Sequence, residues 1–261
     1  MTGLADETVD RYLRRIGVDP EEVTLDLDGL SRLQYAHLVS VPFTNLDVYD
    51  RLPVRTDLRW SIPAVLDGRG GWCFVLNGAF GALLASLGFD VVSMAALVTM
   101  AGEVSPMDDH LCLRVELDRP FLVDVGFGDS FTRPLPLDSD EPVHDVAAGR
   151  RFRLGTRDDG RRQLESERDV DGLVRWRPDY HFLTEPRELD HFDPANDYLA
   201  TTPGLTWTSK RFSTRLTEDG RVTLLDDRIS FTPVWGEPFI EPLADQQAWE
   251  AARRRHLPTP V

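Results

Sequence analysis

Two cysteines and six histidines are the side chains of this sequence best suited to nucleophilic chemistry, and Cys73 holds the most suggestive position. The run Gly68-Arg69-Gly70-Gly71-Trp72-Cys73 places glycines directly ahead of a segment with helical periodicity. Glycines let the backbone turn sharply, so Cys73 is expected at a helix N-terminus, where unpaired N–H groups and the positive dipole end favour a thiolate. The competing reading is a small buried hydrophobe. A thiolate nucleophile needs a base, and His110 is the best placed histidine. It opens a strand-like run in which Leu111, Leu113, Val115 and Leu117 face a core, leaving His110, Cys112, Arg114 and Glu116 on the other face. Asp118-Arg119-Pro120 turns the chain back through Phe121-Leu122-Val123-Asp124. His110 and Asp124 then lie an even number of residues apart across a hairpin and share a face as opposite or diagonal neighbours. Asp124 can accept from one imidazole nitrogen and leave the other for the thiolate. Taken singly, the histidine also fits a structural role and the aspartate a solvated turn. Cys112 is the rival nucleophile, but a mid-strand position offers it no helix dipole, so it reads as packing.

The elements that must position these groups follow from periodicity. From Asp6 to about Leu87 apolar residues recur at helical spacing, as in Val9, Tyr12, Leu13 and Ile16, then Leu30, Leu33, His37 and Leu38. The strongest helix is expected from Cys73 to Leu87, with Leu76, Phe80, Leu83, Leu84 and Leu87 as one apolar stripe and Gly88 as its stop. After Gly88 the period shortens to two, in Val91-Val92-Ser93-Met94, in 111–117 and in 121–125, which predicts a small barrel or curled sheet to about Leu183. Beyond Asp190 the pattern is mixed: 212–216 and 221–225 flank Glu218-Asp219-Gly220 as a hairpin, and a helix is expected around Leu243–Arg255.

Composition bounds the function. With 41% hydrophobic and 28% charged residues the chain is an ordinary globular protein, and 261 residues suit two or three packed subdomains. A net charge of -15 repels phosphate backbones and anionic lipid, which argues against nucleic-acid and membrane partners. The stretch Met1-Thr2-Gly3-Leu4-Ala5-Asp6-Glu7 lacks a basic and then apolar leader, and no run reaches the ~18 apolar residues of a membrane span, so a cytoplasmic location is expected. Two cysteines supply neither a disulfide framework nor a four-ligand zinc site.

Arg69-Gly70-Gly71-Trp72-Cys73, His110 and Asp124-Val125-Gly126-Phe127-Gly128 occur in an order and spacing that resemble the arylamine N-acetyltransferase family. The likeness extends to Val41-Pro42-Phe43-Thr44-Asn45-Leu46, to Pro134-Leu135-Pro136-Leu137, and to a Phe-x-x-x-Asn-x-Tyr run at Phe192, Asn196 and Tyr198. The resemblance implies an α+β fold in three parts: a helical bundle over 1–88 carrying the nucleophile, a β-barrel over 89–190 carrying the histidine and aspartate, and an α/β lid over 191–261. It implies a triad of the kind found in cysteine proteases, with Cys73, His110 and Asp124 in the catalytic positions. It further implies ping-pong transfer of an acyl group from acetyl-CoA or another acyl thioester, used as co-substrate with no permanently bound cofactor and no metal, to a small-molecule amine. By the same resemblance Phe43, Val98 and Phe127 match pocket-lining positions, although Phe43 and Phe127 also fit simple core packing. Gly126 and Gly128 match the loop along which the family's CoA passes.

Two departures stand out. The family usually carries Glu after Pro-Phe and Glu two residues after the cysteine, where this chain has Thr44 and Val75. If both carboxylates served Arg69, its guanidinium needs another anion or open water. A cleft widened in this way would admit donors larger than acetyl, and Asp129 beside the glycine loop is poorly placed for a phosphate. These features bring in a second reading within the family, an amide synthase that takes an acyl chain from a carrier protein in polyketide biosynthesis. A cysteine hydrolase and a catalytically silent binding protein are the readings from other classes.

Overall fold

The computed structural model describes residues 3–257; Met1 and Thr2 of the N-terminal stretch and residues 258–261 of the third segment lie outside the described residues. The helical first third comprises Asp6–Ile16, Leu27–Ser40, the short Leu46–Tyr49, Leu58–Leu66 and Cys73–Leu87. Local signals set their ends. Asp26 and Asp57 accept from the backbone N–H groups of Gly29 and Trp60, at 2.9 and 3.0 Å, satisfying first-turn donors, and Gly88 closes Cys73–Leu87 in the left-handed conformation.

The helix Cys73–Leu87 departs from the expected single stripe: every residue from Cys73 to Leu84 is buried. It packs against Asp6–Ile16 and Leu58–Leu66 on one side and against the strands Asp90–Met100 and His110–Glu116 on the other. A helix enclosed on all sides has no solvent face to keep polar.

The main sheet is antiparallel and runs in the order Leu135–Pro136, Pro120–Val123, His110–Glu116, Asp90–Met100, Leu173–Phe182, Arg162–Val170, Arg150–Thr156 and Val143–Asp145, with Glu103–Val104 paired to Asp90–Met100. It curls into a nearly closed barrel. The strand His110–Glu116 is buried on both faces through its first half. Leu111, Leu113 and Val115 join the helical core with Phe74, Phe80 and Leu84, whereas Cys112 joins the barrel core with Met94, Phe152, Tyr180 and Phe182. Alternation therefore turns His110 and Cys112 toward the barrel interior.

A second antiparallel sheet holds Phe212–Thr217, Gly220–Leu225, Arg228–Pro233 and Phe239–Pro242, with the expected hairpin turn at Glu218-Asp219. Its first strand comes from the other end of the chain: Phe43–Thr44 leaves the helical segment and pairs with Phe212–Thr217. The short helices Asp193–Thr201 and Thr206–Ser209 and the final helix Gln246–His256 complete this part. The architecture is thus α+β, a helical N-terminal part followed by a barrel and a mixed C-terminal part. No helix among the described residues is long and apolar enough to cross a membrane.

Candidate active site

Backbone constraints put Cys73 where it stands. Gly70 has φ +74°, and a Cβ there would come within 2.2 Å of the Pro42 carbonyl oxygen, so only glycine fits. Its N–H donates to the Ala64 carbonyl at 3.0 Å, and the Gly71 carbonyl accepts from Thr44 N–H at 2.9 Å. The chain is thereby stapled to Phe43–Thr44 just before Trp72 caps the helix and Cys73 begins it. The Cys73 sulfur lies 3.7 Å from the Asp109 carbonyl oxygen, adjacent to His110. The Asp109 side chain in turn accepts from Val98 N–H at 2.9 Å, which fixes the approach to His110.

The hairpin register pairs Leu113 with Val123 and Val115 with Phe121, so its continuation sets Asp124 opposite Cys112 and diagonal to His110. His110 Nε2–H donates to Asp124 Oδ2 at 2.8 Å, and both side chains are almost wholly buried. Only Nδ1 remains for Cys73. Asp124 is saturated: Oδ1 accepts from Asn77 Nδ2 and Gly126 N–H, each at 2.8 Å, and Oδ2 also accepts from the Tyr180 hydroxyl at 3.1 Å. Burial alone would push the His110 imidazolium to lower pKa. The charge and hydrogen bond of Asp124, reinforced by the hydrogen bond and charge of Cys73, outweigh it and raise His110 from 6.5 to about 10. Cys112 is treated oppositely: burial, then the charges of Asp124 and Cys73, hold its thiol well above the usual range. It stays protonated and packs in the barrel.

The remaining sequence-predicted residues gather around this centre. Phe127 sets its ring edge-on to His110, centroids 5.2 Å apart, and 5.2 Å from Tyr180. Val98 pairs with Tyr180 and Ala96 with His110, so Val98 sits one pair along from the imidazole on the same face. Phe43 packs edge-on against Trp207 and Phe212 at 6.0 and 5.9 Å, and its ring borders Gly128. Gly126 is glycine for a reason internal to the protein: a Cβ there would lie 2.7 Å from Cys73 Cα and 2.6 Å from Asn77 Nδ2. Asn77 and Tyr180 were not found from the sequence. Asn77, one helical turn beyond Cys73 and the one amide in an apolar helix, carried a usable signal; Tyr180 arrives by a long-range strand pairing and carried none. Among the described residues no group of three His, Cys, Asp or Glu side chains could hold a metal ion.

A family model described as N-acetyltransferase matches residues 26–241. Arylamine N-acetyltransferase 1 of Homo sapiens is 31% identical over 232 residues, 81% of this chain and 79% of that protein. This chain belongs to the arylamine N-acetyltransferase family. Proansamycin X synthase of Amycolatopsis mediterranei is 29% identical over 260 residues, covering 95% of this chain and 96% of its own. The Mycobacterium marinum arylamine N-acetyltransferase, solved in complex with CoA, superposes with a TM-score of 0.86 at 26% identity over 95% of this chain and 92% of that one. The chain is therefore an N-acetyltransferase-family enzyme.

Within that family the two departures acquire a local explanation. Arg69 finds its anion in Asp47, with Nη1 to Oδ2 at 2.7 Å, and its guanidinium lies over the Trp60 ring at 4.9 Å. The space bounded by Thr44, Asp47, Trp60, Trp72 and Val75 has a volume of only about 10 Å³. Arg69 therefore meets its anion within the fold, in Asp47, rather than in open water. Nor does Asp129 leave bare negative charge beside the glycine loop: Arg150, Arg168 and Arg221 all pair with it.

Proposed function

We propose that this chain transfers an acetyl or related acyl group from a CoA thioester to a small aromatic amine through a Cys73 acyl-enzyme, in two half-reactions. The observation that carries the reading is the closed network at one buried point, where Cys73 begins a helix, His110 keeps Nδ1 for it, and Asp124 with four donors holds His110. The raised His110 pKa supports an imidazolium beside Cys73 in the resting state.

In the first half-reaction the Cys73 sulfur attacks the thioester carbonyl. The N–H groups of Cys73 and Phe74, in the first turn and engaged by no backbone carbonyl, are donors for the oxyanion. The C–S bond to CoA breaks, CoA departs with the proton from His110, and a thioester on Cys73 remains; exchange between two sulfurs is nearly thermoneutral. In the second half-reaction the amine attacks this thioester while His110 Nδ1 takes its proton. The amide leaves and the Cys73 thiolate re-forms beside imidazolium. Phe43, Val98 and Phe127 wall the acyl and acceptor space, and Gly126 and Gly128 form the edge past which the donor runs. Initial rates with donor and acceptor varied together test this: parallel double-reciprocal lines are expected, and intersecting lines would refute the two-step route.

One observation favours a second reading, amide formation from a larger acyl chain delivered by a carrier protein. The match to proansamycin X synthase spans nearly the whole of both chains, more than the match to the human enzyme. Faster acylation by a carrier-bound acyl chain than by acetyl-CoA would select it.

A further inference from the structure

Segment 126–129 is gripped from outside and loaded from inside. Outside, Asp129 Oδ1 accepts from Arg150 Nη2 at 2.9 Å and pairs with Arg221 Nε at 3.1 Å, and Oδ2 accepts from Arg168 Nη1 at 2.9 Å. The same arginines hold the backbone: the Asp129 carbonyl accepts from Arg150 and Arg168 at 3.0 and 3.4 Å, and the Gly128 carbonyl accepts from Arg221. Arg150 and Arg168 stand on barrel strands, whereas Arg221 stands on Gly220–Leu225 of the second sheet. Inside, Phe127 is wedged against His110 and Tyr180. One carboxylate thus collects three cations from two sheets on the loop that backs the imidazole. Burial works against its ionisation, but Arg150, Arg221 and Arg168 hold it well below the usual carboxylate range.

We infer that Asp129 is a positioning residue: by clasping segment 126–129 to both sheets it fixes Phe127 against His110, and so sets the size of the acyl pocket. This rests on the acyl-transfer reading above. Without the charge, three guanidinium groups converge with Asp179 as their nearest remaining carboxylate, 3.4 Å from Arg168. Only the bonds to the Gly128 and Asp129 carbonyls then tie the loop to the two sheets, and the Phe127 ring gains room to move away from the imidazole. A purely structural Asp129 would lower stability and leave donor preference unchanged.

The test compares wild type, Asp129→Asn, Asp129→Glu, Phe127→Leu and the double variant Asp129→Asn/Phe127→Leu in single-turnover acylation by acetyl-CoA and hexanoyl-CoA. Asp129→Asn is expected to slow acetylation about tenfold, as a displacement of less than an ångström in a positioned site can, while slowing hexanoylation less. Asp129→Glu restores part of the preference, and Phe127→Leu makes Asp129→Asn nearly silent on the ratio, because both act through one ring. An unchanged ratio in Asp129→Asn, or effects that simply multiply in the double variant, would overturn the inference. Amide hydrogen exchange of residues 126–128 decides the clasp independently of activity: exchange should accelerate in Asp129→Asn, and equal rates would sink it. A wild type that accepts no acyl group would instead remove the acyl-transfer reading, with hydrogen exchange still deciding the clasp.

Discussion

Asp124 accepts four hydrogen bonds, two on each oxygen, so Asp124→Asn cannot be accommodated in either amide orientation. The new NH2 must face either Asn77 and Gly126 or His110 and Tyr180, and all four are donors as arranged. If it faces His110, the ring must move its proton to Nδ1, which can then no longer accept a proton from the Cys73 side. The loss of charge matters as much. Burial alone lowers the His110 pKa, and Asp124 is the main reason it stands at about 10 rather than below 6.5. Losing the charge that favours the imidazolium, together with the wrong tautomer, predicts a fall in acylation rate on the order of 10³-fold, as in a triad whose aspartate is replaced by asparagine. Two unsatisfied donors at a formerly charged acceptor also cost about 3–6 kcal/mol of stability. Stopped-flow acylation by acetyl-CoA, read as CoA thiol release, measures the rate, and thermal unfolding measures the fold. Tyr180→Phe is the control, since it removes one donor and keeps the charge; a loss below about tenfold is expected. A folded Asp124→Asn enzyme within tenfold of wild type would refute the reasoning, as would an equal defect in Tyr180→Phe.

Cys112→Ala should leave acylation unchanged and cost only stability, because the thiol is fully buried and held protonated; a severe rate defect in a folded variant would count against that assignment. His37 is fully buried, hydrogen bonded to Tyr12, and lowered by burial, and secondarily by Arg15, to about 3. The unfolded chain takes up this proton below 6.5 and the folded chain does not, so the contribution is complete above pH 6.5 and is lost as pH falls toward 3. It amounts to about 4–5 kcal/mol at the bottom of that window. Urea unfolding from pH 7 to 4 should show the slope in wild type and its reduction in His37→Phe. Asp47→Asn leaves Arg69 without a carboxylate partner at a half-buried site, and should lower Tm by a few degrees, corresponding to about 1 kcal/mol; an unchanged Tm would show that Trp60 alone suffices to hold the guanidinium.

What the sequence disclosed follows the range of the signal. The start of the Cys73 helix, its stop at Gly88, and the hairpin that carries His110 back to Asp124 are each written within about twenty consecutive residues by glycines, turn residues and a change of period. Long-range assembly left no such trace. Tyr180 reaches Asp124 because Leu173–Phe182 pairs with Asp90–Met100, and the outer part of that strand exposes Leu173 and Val174 rather than alternating. Phe43–Thr44 is too short for any period, yet it staples the loop before Cys73 to the second sheet. Periodicity shows one stripe of Cys73–Leu87 and not its other faces, because a helix buried all round has no polar side to mark them. Asp47 as the partner of Arg69, and the three arginines on Asp129, come from separate elements, so neither pairing can be read from local sequence.

The most direct test of the central claim is mass spectrometry of the intact protein after mixing with acetyl-CoA in the absence of an amine, followed by mapping of the modified peptide. The account predicts one acetyl group on Cys73, none on Cys112, and its loss when an arylamine is added. An adduct on Cys112 would contradict it, and so would an enzyme that acetylates the amine without ever carrying the acetyl group.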